Sequence, residues 1–430
     1  MSVDPAVMTK EDMDFCSKSG SGPTCNGEMY ALRGYDGKLI WTKKTRSDIL
    51  FMNCIDFDIN MDHHADCVVT GRNGLLETVD VKTGKLLWDG SQTLNNDFWG
   101  VYHVARLPDI DKDGVPEMLI ANGGDSRIPP DVHERQPGRL MLLSGKTGQA
   151  VGTRHFNMPN NRETYMSPIV YKTKDGSLYI LFGSGGETVS GDFMMISLPD
   201  LYTYITEGNN VVHFEGAYGQ WPQYLSVKHK VTNIYTLYNG QQKGVSVPPV
   251  IVDVNNDGYN DILMTAFEGR MILFSGRDLS TIWSNTFPGM ETYTSPAPGY
   301  FNDDNVLDFM VHWSVGAWSI YSATKVYILN GKDGSSLWSI NANQFVMPSD
   351  ITVRTSEPHR DLFIFRTKGR GSTVTKDGSE NIHGIERLDQ KPHQYFVEID
   401  NVYRQCLMNN PNRGKHNNTA PPPGAFQNIQ

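Results

Sequence analysis

One pattern returns along most of the chain, and a sequence that repeats a short unit many times is confined to folds assembled from repeated units. The unit reads strand, turn, strand: GEMYALRGYDGKLIW at 27–41, GLLETVDVKTGKLLW at 74–88, GRLMLLSGKTGQAVG at 138–152, GRMILFSGRDLSTIW at 269–283 and TKVYILNGKDGSSLW at 324–338. A weaker copy, GDFMMISLPDLYTYI, covers 191–205. Each copy runs an apolar strand into a Gly/Asp turn of the kind that closes antiparallel hairpins. In four copies a tryptophan, Trp41, Trp88, Trp283 or Trp338, closes the second strand. The expectation is six hairpins and no helix.

Ahead of most hairpins stands a second unit, in which two short apolar strands flank an acidic loop. It reads CIDFDINMDHHADCVVTG, ARLPDIDKDGVPEMLIANG, VIVDVNNDGYNDILMTAF and APGYFNDDNVLDFMVHW, while SPIVYKTKDGSLYILFGSG and SDITVRTSEPHRDLFIFR keep the strands without the full acidic set. Two strands plus two strands make a four-stranded sheet, and radial repetition of such sheets protects their edges in a β-propeller. Six strand-pair units follow residue 45, but only five hairpins follow them; the sixth hairpin opens the chain. The expected fold is therefore all-β, a propeller of six four-stranded blades over 27–367, its last blade (inner strands 347–367) completed by the N-terminal hairpin at 27–43. Seven blades is the alternative if 208–246 forms a blade of its own; lacking both signatures, that segment reads as an insertion. Residues 1–26 form an N-terminal segment, and 368–430 read as an arm followed by a flexible tail.

Composition narrows the function. Asp plus Glu number 48 against 38 Lys plus Arg, a net charge of −10, so the phosphate-neutralising cations that nucleic-acid binding requires are lacking. No apolar run reaches the length of a bilayer span, and the opening MSVDPAVMTKEDMDF has neither a basic start nor an apolar stretch, giving the expectation of a chain without an export signal or membrane span. Five cysteines sit at no zinc spacing and leave the redox compartment open.

The acidic loops align as D-x-[DN]-x-D-x-x-x-[DE]. Loop 1 offers Asp58, Asn60, Asp62 and Asp66; loop 2 Asp109, Asp111, Asp113 and Glu117; loop 3 Asp253, Asn255, Asp257 and Asp261. Positions 1, 3 and 5 present side-chain oxygens, the carbonyls of His64, Val115 and Tyr259 serve at position 7, and a carboxylate closes the shell at position 9. Hard oxygens in a flexible shell suit Ca²⁺ better than Mg²⁺, so up to three calcium ions are expected. The ten carboxylates of the three loops would repel one another without a compensating cation. Gly114 and Gly258 at position 6 permit a left-handed backbone, which His63 adopts only with strain. A fourth loop supplies Asn302, Asp304 and Asp308 but has Tyr300 at position 1, and is expected to bind weakly or not at all.

These residues resemble the calcium-binding FG-GAP repeats of integrin-alpha propellers. Over roughly residues 27–367 the chain is similar to the integrin-alpha FG-GAP repeat-containing transmembrane proteins of the protein-three type. The resemblance implies a calcium-binding, membrane-associated glycoprotein at the cell surface or in the extracellular space, acting in protein-protein interaction and not as an enzyme. The family's membrane anchor does not occur in this sequence, which implies a truncated form or a soluble relative. Two enzyme classes share features: the hairpin VDVKTGKLLW resembles quinoprotein dehydrogenase blades, without their adjacent cysteine pair, and the loops resemble those of eight-bladed polysaccharide lyases. The lyase type is the alternative function.

Other candidates read more simply. Glu163-Thr164-Tyr165-Met166-Ser167-Pro168 recurs as Glu291-Thr292-Tyr293-Thr294-Ser295-Pro296, either a ligand-binding pair of acids and tyrosines or a repeated structural corner, the second being favoured. His63, His64, His103 and His312 read as structural. Cys54 and Cys67 flank loop 1, but symmetric pairing about it places them three residues, about 10 Å, out of register, so no disulfide is expected there. A Cys16–Cys25 pair stays open, as do the state of Cys406 and glycosylation at Asn417. Partner identity and oligomeric state have no signature in the sequence.

Overall fold

The computed structural model describes residues 27–95, 98–125, 128, 132, 134–208, 212, 214, 216, 218–221, 234–317, 320–342, 350–355 and 360–365. The expectations for 1–26, for 368–430, and for Cys16, Cys25, Cys406 and Asn417 lie outside the described residues.

The strands form a succession of antiparallel meanders. β1 (Glu28–Leu32) and β2 (Leu39–Lys44) make a two-stranded sheet; β3 (Ile49–Phe57), β4 (Asp66–Gly71), β5 (Leu76–Val79) and β6 (Leu86–Asp89) make a four-stranded one. Next come β7 (Trp99–Val101), β8 (Ala105–Arg106), β9 (Met118–Asp125), β10 (Arg139–Leu143) and β11 (Phe156–Asn157), with β7 and β8 both pairing β9. The third meander is β12 (Ile169–Lys172), β13 (Leu178–Gly183), β14 (Asp192–Ser197) and β15 (Tyr235–Asn239). A fourth joins β16 (Val250–Val252), β17 (Asp261–Ala266), β18 (Arg270–Phe274) and β19 (Thr281–Thr286). The fifth joins β20 (Met290–Glu291), β21 (Ala297–Gly299), β22 (Asp308–Ala317), β23 (Ile320–Leu329) and β24 (Ser336–Ala342), and β25 (Ile351–Arg354) pairs β26 (Asp361–Ile364). By packing, the described residues divide into one compact unit within 27–33, 38–249 and 276–279 and a second within 34–37, 250–275 and 280–365.

The two-residue period of the strands explains why their central members are almost wholly apolar. In the first unit, Met118 and Ile120 of β9 face a core shared with Phe57, Val68 and Leu76, while Leu119 and Ala121 face the next core with Ile180, Phe182 and Met194. In the second unit, Phe309, Val311 and Trp313 of β22 face Leu263 and Leu273, while Met310 faces Val326, Ile328 and Phe363. A sheet buried on both faces leaves no room for a polar alternation.

The hairpin tryptophans link successive sheets. Trp41 Nε1 donates to Val81 O at 2.9 Å and Trp88 Nε1 to Gly145 O at 3.0 Å in the first unit; Trp283 Nε1 donates to Gly331 O at 2.7 Å in the second. Each indole lies against a turn glycine of the same neighbouring hairpin, Gly84, Gly148 or Gly334, where a Cβ would approach the ring to 2.8 Å or less. Glycine is required there twice over, for contact and for a positive φ of 71°, 69° and 74°.

The reading of 191–205 as a hairpin is corrected. β14 is followed by a helix, α1 (Leu198–Ile205). Ser197 caps it by accepting from Asp200 N at 3.2 Å, and its hydroxyl donates to Asp200 Oδ2 at 2.6 Å, a reciprocal cap with Pro199 in the first turn. Leu198, Leu201, Tyr202 and Ile205 bury the inner face of the helix. The outer strand of this sheet is β15, supplied by the 208–246 segment that lacks both sequence signatures.

Candidate metal centre

Loops 1, 2 and 3 share one hydrogen-bond scheme. The position-1 carboxylate accepts from the backbone N–H groups of positions 5 and 6. Asp58 takes Asp62 N at 3.0 Å and His63 N at 2.8 Å; Asp109 takes Asp113 N at 3.1 Å and Gly114 N at 3.0 Å; Asp253 takes Asp257 N at 3.1 Å and Gly258 N at 2.8 Å. Asn60, Asp111 and Asn255 also accept from the position-5 N–H, each at 3.0 Å. The position-5 carboxylates of Asp62, Asp113 and Asp257 accept from the N–H of His64, Val115 and Tyr259 at 3.0, 2.9 and 2.9 Å. These bonds wrap each loop in the same way, and each carboxylate oxygen retains lone pairs for a cation.

The closing acid is tied from the strand side. Asp66 Oδ2 accepts from Ile59 N at 2.9 Å and Asn60 N at 3.3 Å; Glu117 Oε2 accepts from Ile110 N at 2.5 Å; Asp261 Oδ2 accepts from Val254 N at 3.1 Å. All three acids are buried. Burial pushes the Asp66 and Glu117 carboxyls above the usual carboxylate range, against the pull of these N–H donors. In loop 2 the oxygens of Asp109, Asp111 and Glu117 lie within 4.8 Å of one another. Two ligands of one Ca²⁺ at about 2.4 Å each stand no farther apart than about 5 Å, so this triad fits a single ion.

The backbone adds a feature that the residue pattern did not announce. Position 6 is left-handed at His63 (φ 68°), Gly114 (94°) and Gly258 (82°), and so is position 4, at Met61 (57°), Lys112 (61°) and Asn256 (59°). Loop 4 keeps the closing tie, with Asp308 Oδ2 accepting from Phe301 N at 3.0 Å and Asn302 N at 3.3 Å. With no acid at position 1, it lacks the central clamp. Burial pushes Asp308 up to about 6.

Two lysines beside the loops also escaped the sequence reading. Lys82 Nζ meets Asp62 Oδ2 at 2.9 Å, and Lys146 Nζ meets Asp113 O at 3.1 Å and Asp113 Oδ2 at 3.9 Å. Both sit two residues past the start of a turn, Asp80 or Ser144, in the VDVKTGK and LLSGKTG hairpins. Recurrence of that lysine at the same turn position was the available signal.

The expected absence of a Cys54–Cys67 bridge is overturned: the two cysteines are disulfide-bonded, with Cα atoms 4.0 Å apart. Asp66 pairs with Phe57 and not with Asp58, and between Phe57↔Asp66 and Asn53↔Val68 the strand β3 inserts Cys54, Ile55 and Asp56 against Cys67 alone. Asn53 Oδ1 holds this bulge by accepting from Ile55 N at 3.1 Å and Asp56 N at 3.2 Å, and Asn53 Nδ2 donates to Asp56 Oδ2 at 2.7 Å. The bulge absorbs the offset that symmetric pairing left between the cysteines.

The remaining candidates have structural partners. His312 Nδ1 lies 3.1 Å from Asp350 Oδ1 in a buried pair. His103 stands edge-on to Phe51 at 5.9 Å, and burial lowers its pKa. In the repeated motif, Thr164 Oγ1 donates to Gly183 O and Thr292 Oγ1 to His312 O, both at 2.8 Å, the equivalence expected of a repeated corner.

The sequence profile described as "FAM234A/B beta-propeller" matches residues 7–387. Protein FAM234B of Mus musculus is 25% identical over 347 residues, 80% of this chain and 51% of that protein. Protein FAM234A of Bos taurus is 24% identical over 354 residues, 81% of this chain and 56% of that one. The chain thus spans about half the length of the curated relatives it matches. Among solved structures, BamB from Moraxella catarrhalis aligns with a TM-score of 0.38 at 13% identity, covering 79% of this chain and 74% of that one. With the antiparallel meanders and the profile match across most of its length, the chain belongs to the FAM234A/B beta-propeller family.

Proposed function

We propose that this chain is a calcium-stapled, non-catalytic propeller module that presents its loops to a protein or other extracellular ligand, as part of a cell-surface protein. The observation that carries this reading is the convergence of the Asp109, Asp111 and Glu117 oxygens in loop 2, within a hydrogen-bond wrapping that loops 1 and 3 share. The cation would be held by Asp58, Asn60, Asp62, Asp66 and the His64 carbonyl; by Asp109, Asp111, Asp113, Glu117 and the Val115 carbonyl; and by Asp253, Asn255, Asp257, Asp261 and the Tyr259 carbonyl. This is the FG-GAP arrangement that the sequence resembles. Bound calcium would neutralise the clustered carboxylates and fix the turn between two strands, and rigid sheets would hold the loops for a partner.

An extracellular setting is supported by the Cys54–Cys67 disulfide, since such bonds persist in oxidising compartments. A non-catalytic role is supported by the family and by the lysines at the loops. A lyase would aim a base from a cleft, whereas Lys82 and Lys146 stand on partly exposed turns and neutralise loop carboxylates. Six blades, the last completed by β1 and β2, remain the proposed architecture.

Thermal unfolding of the full chain in EGTA and in Ca²⁺ tests the metal. At a hundred times the dissociation constant a single site adds about 2.7 kcal/mol. Equal melting temperatures with and without saturating calcium would remove the calcium reading. Cleavage of acidic polysaccharides that disappears on replacing one basic residue would favour the lyase.

A further inference from the structure

Loop 1 is built differently from its counterparts. In the sheet carrying loop 3, β16 and β17 pair without interruption as Val250↔Leu263, Ile251↔Ile262 and Val252↔Asp261. At the same place in the sheet carrying loop 1, β3 holds two residues more than β4 can match. Cys67, which closes the bulge through its bond to Cys54, directly follows Asp66, the position-9 acid. The residue after the closing acid is Met118 in loop 2, Ile262 in loop 3 and Phe309 in loop 4, so loop 1 alone has a covalent tie there. Loop 1 also lacks glycine at both of its left-handed positions, Met61 and His63. Its backbone therefore has the least intrinsic preference for the wrapped form.

In loop 3 the pair Val252↔Asp261 is backed by the ladder pair Ile251↔Ile262, whereas in loop 1 the bulge leaves no ladder pair directly beside Phe57↔Asp66. The disulfide supplies a tie there, one residue from Asp66. We infer that the Cys54–Cys67 bond is a positioning clamp for loop 1, holding Asp66 against Phe57 at the base of the loop and making that loop's cation affinity depend on thiol redox state. This rests on the calcium reading of the loops. Reduction by a dithiol delivers two electrons and two protons to the S–S bond, giving two cysteine thiols and the oxidised dithiol. Access is through half-buried Cys54, whose neighbour Ile55 is 84% exposed.

The test uses the full, oxidised chain in two backgrounds. One keeps loop 1 and carries Asp109→Asn, Asp111→Asn, Asp253→Asn and Asp257→Asn; the other keeps loop 3 and carries Asp58→Asn, Asp62→Asn, Asp109→Asn and Asp111→Asn. Calorimetric titration with CaCl₂ is compared before and after adding Cys54→Ser with Cys67→Ser. The expected result is a loss of about tenfold or more in affinity at loop 1, directly beside the clamp, with less than about a twofold change at loop 3. Dithiothreitol on the unsubstituted cysteines gives the same selectivity. Equal calcium affinity at loop 1 with and without the bond overturns the clamp alone, as does an equal loss at both loops, the sign of general unfolding. No calcium binding in either oxidised background overturns the calcium reading and the clamp with it.

Discussion

Tyr165 donates its phenol O–H to Glu163 Oε2 at 2.8 Å, while Glu163 Oε1 is buried with no hydrogen-bond partner among the described residues. Glu163 is 1% exposed. Burial pushes its carboxyl up to about 7, the Tyr165 hydroxyl and Arg135 pull it down, and Glu187 pushes it up further. An acid whose folded pKa lies above its unfolded value is stabilising in its protonated form. Its contribution is complete below the unfolded pKa of about 4.5, declines as pH rises through about 7, and is then lost. The total is on the order of 3 kcal/mol. Asp308, pushed up to about 6 by burial, acts with the same sign, so the comparison must be between wild type and a variant. Glu163→Gln keeps an acceptor for Tyr165 and removes the ionisation. Urea midpoints should then differ little from wild type near pH 5 and exceed it near pH 8; an unchanged pH slope would refute the assignment.

Of Trp41, Trp88 and Trp283, the last is the best buried, at 6% exposure. Trp283→Ala should cost about 3–5 kcal/mol, the range for removing a large core aromatic. Trp283→Phe keeps much of the ring contact with Gly334 and loses the bond to Gly331 O, a smaller loss of about 0.5–1.5 kcal/mol plus residual packing. Equilibrium unfolding with an unchanged denaturant slope reads both. Equal losses for the two variants would mean that the N–H, and not the ring, carries the contact.

What the sequence disclosed and what it hid follow from range. Strand pairs were legible because burial on both faces leaves a continuous apolar run, as in Met118–Ala121, and the loops because position-1 and position-5 acids are separated by a fixed, local spacing. The disulfide was not, because it depends on a bulge held by the Asn53 side chain, and symmetric pairing assumes no bulge. Helix α1 had its signal in Ser197, Pro199 and Asp200, but the repeat pattern outweighed it. The left-handed position 4 has no residue signature, being occupied by Met61, Lys112 and Asn256, of which only asparagine favours that conformation.

Lys82 competes with any cation for Asp62. Its ammonium and the neighbouring His64 N–H hold that carboxylate below its ordinary range. Lys82→Met should therefore raise calcium affinity at loop 1, by about two- to fivefold for an exposed pair, with the gain shrinking at high ionic strength. Calcium titration of the loop 1 background at low and high salt measures it. Weaker binding in the variant would show that Lys82 orients Asp62 and does not compete for it.

The N-terminal hairpin offers a test of the proposed ring. One face of β1 and β2 packs Met29 and Trp41 against Cys67, Val69, Leu75 and Val79. The other presents Tyr30, Leu32 and Leu39 to solvent, exposed by more than half, and β25 presents Ile351 at 55% and Val353 at 44%. An isolated two-stranded hairpin with an uncovered apolar face is marginal in water. If the hairpin completes the last blade, both faces become buried, as they are for β9 and β22. Leu32→Glu and Ile351→Glu should then each cost about 2 kcal/mol or more, as a charge introduced into a core does. Left at the surface, the same substitutions fall within about 0.5 kcal/mol of wild type. Melting temperatures of the two variants decide: near-neutral values for both would show an open hairpin and remove the closed six-blade architecture.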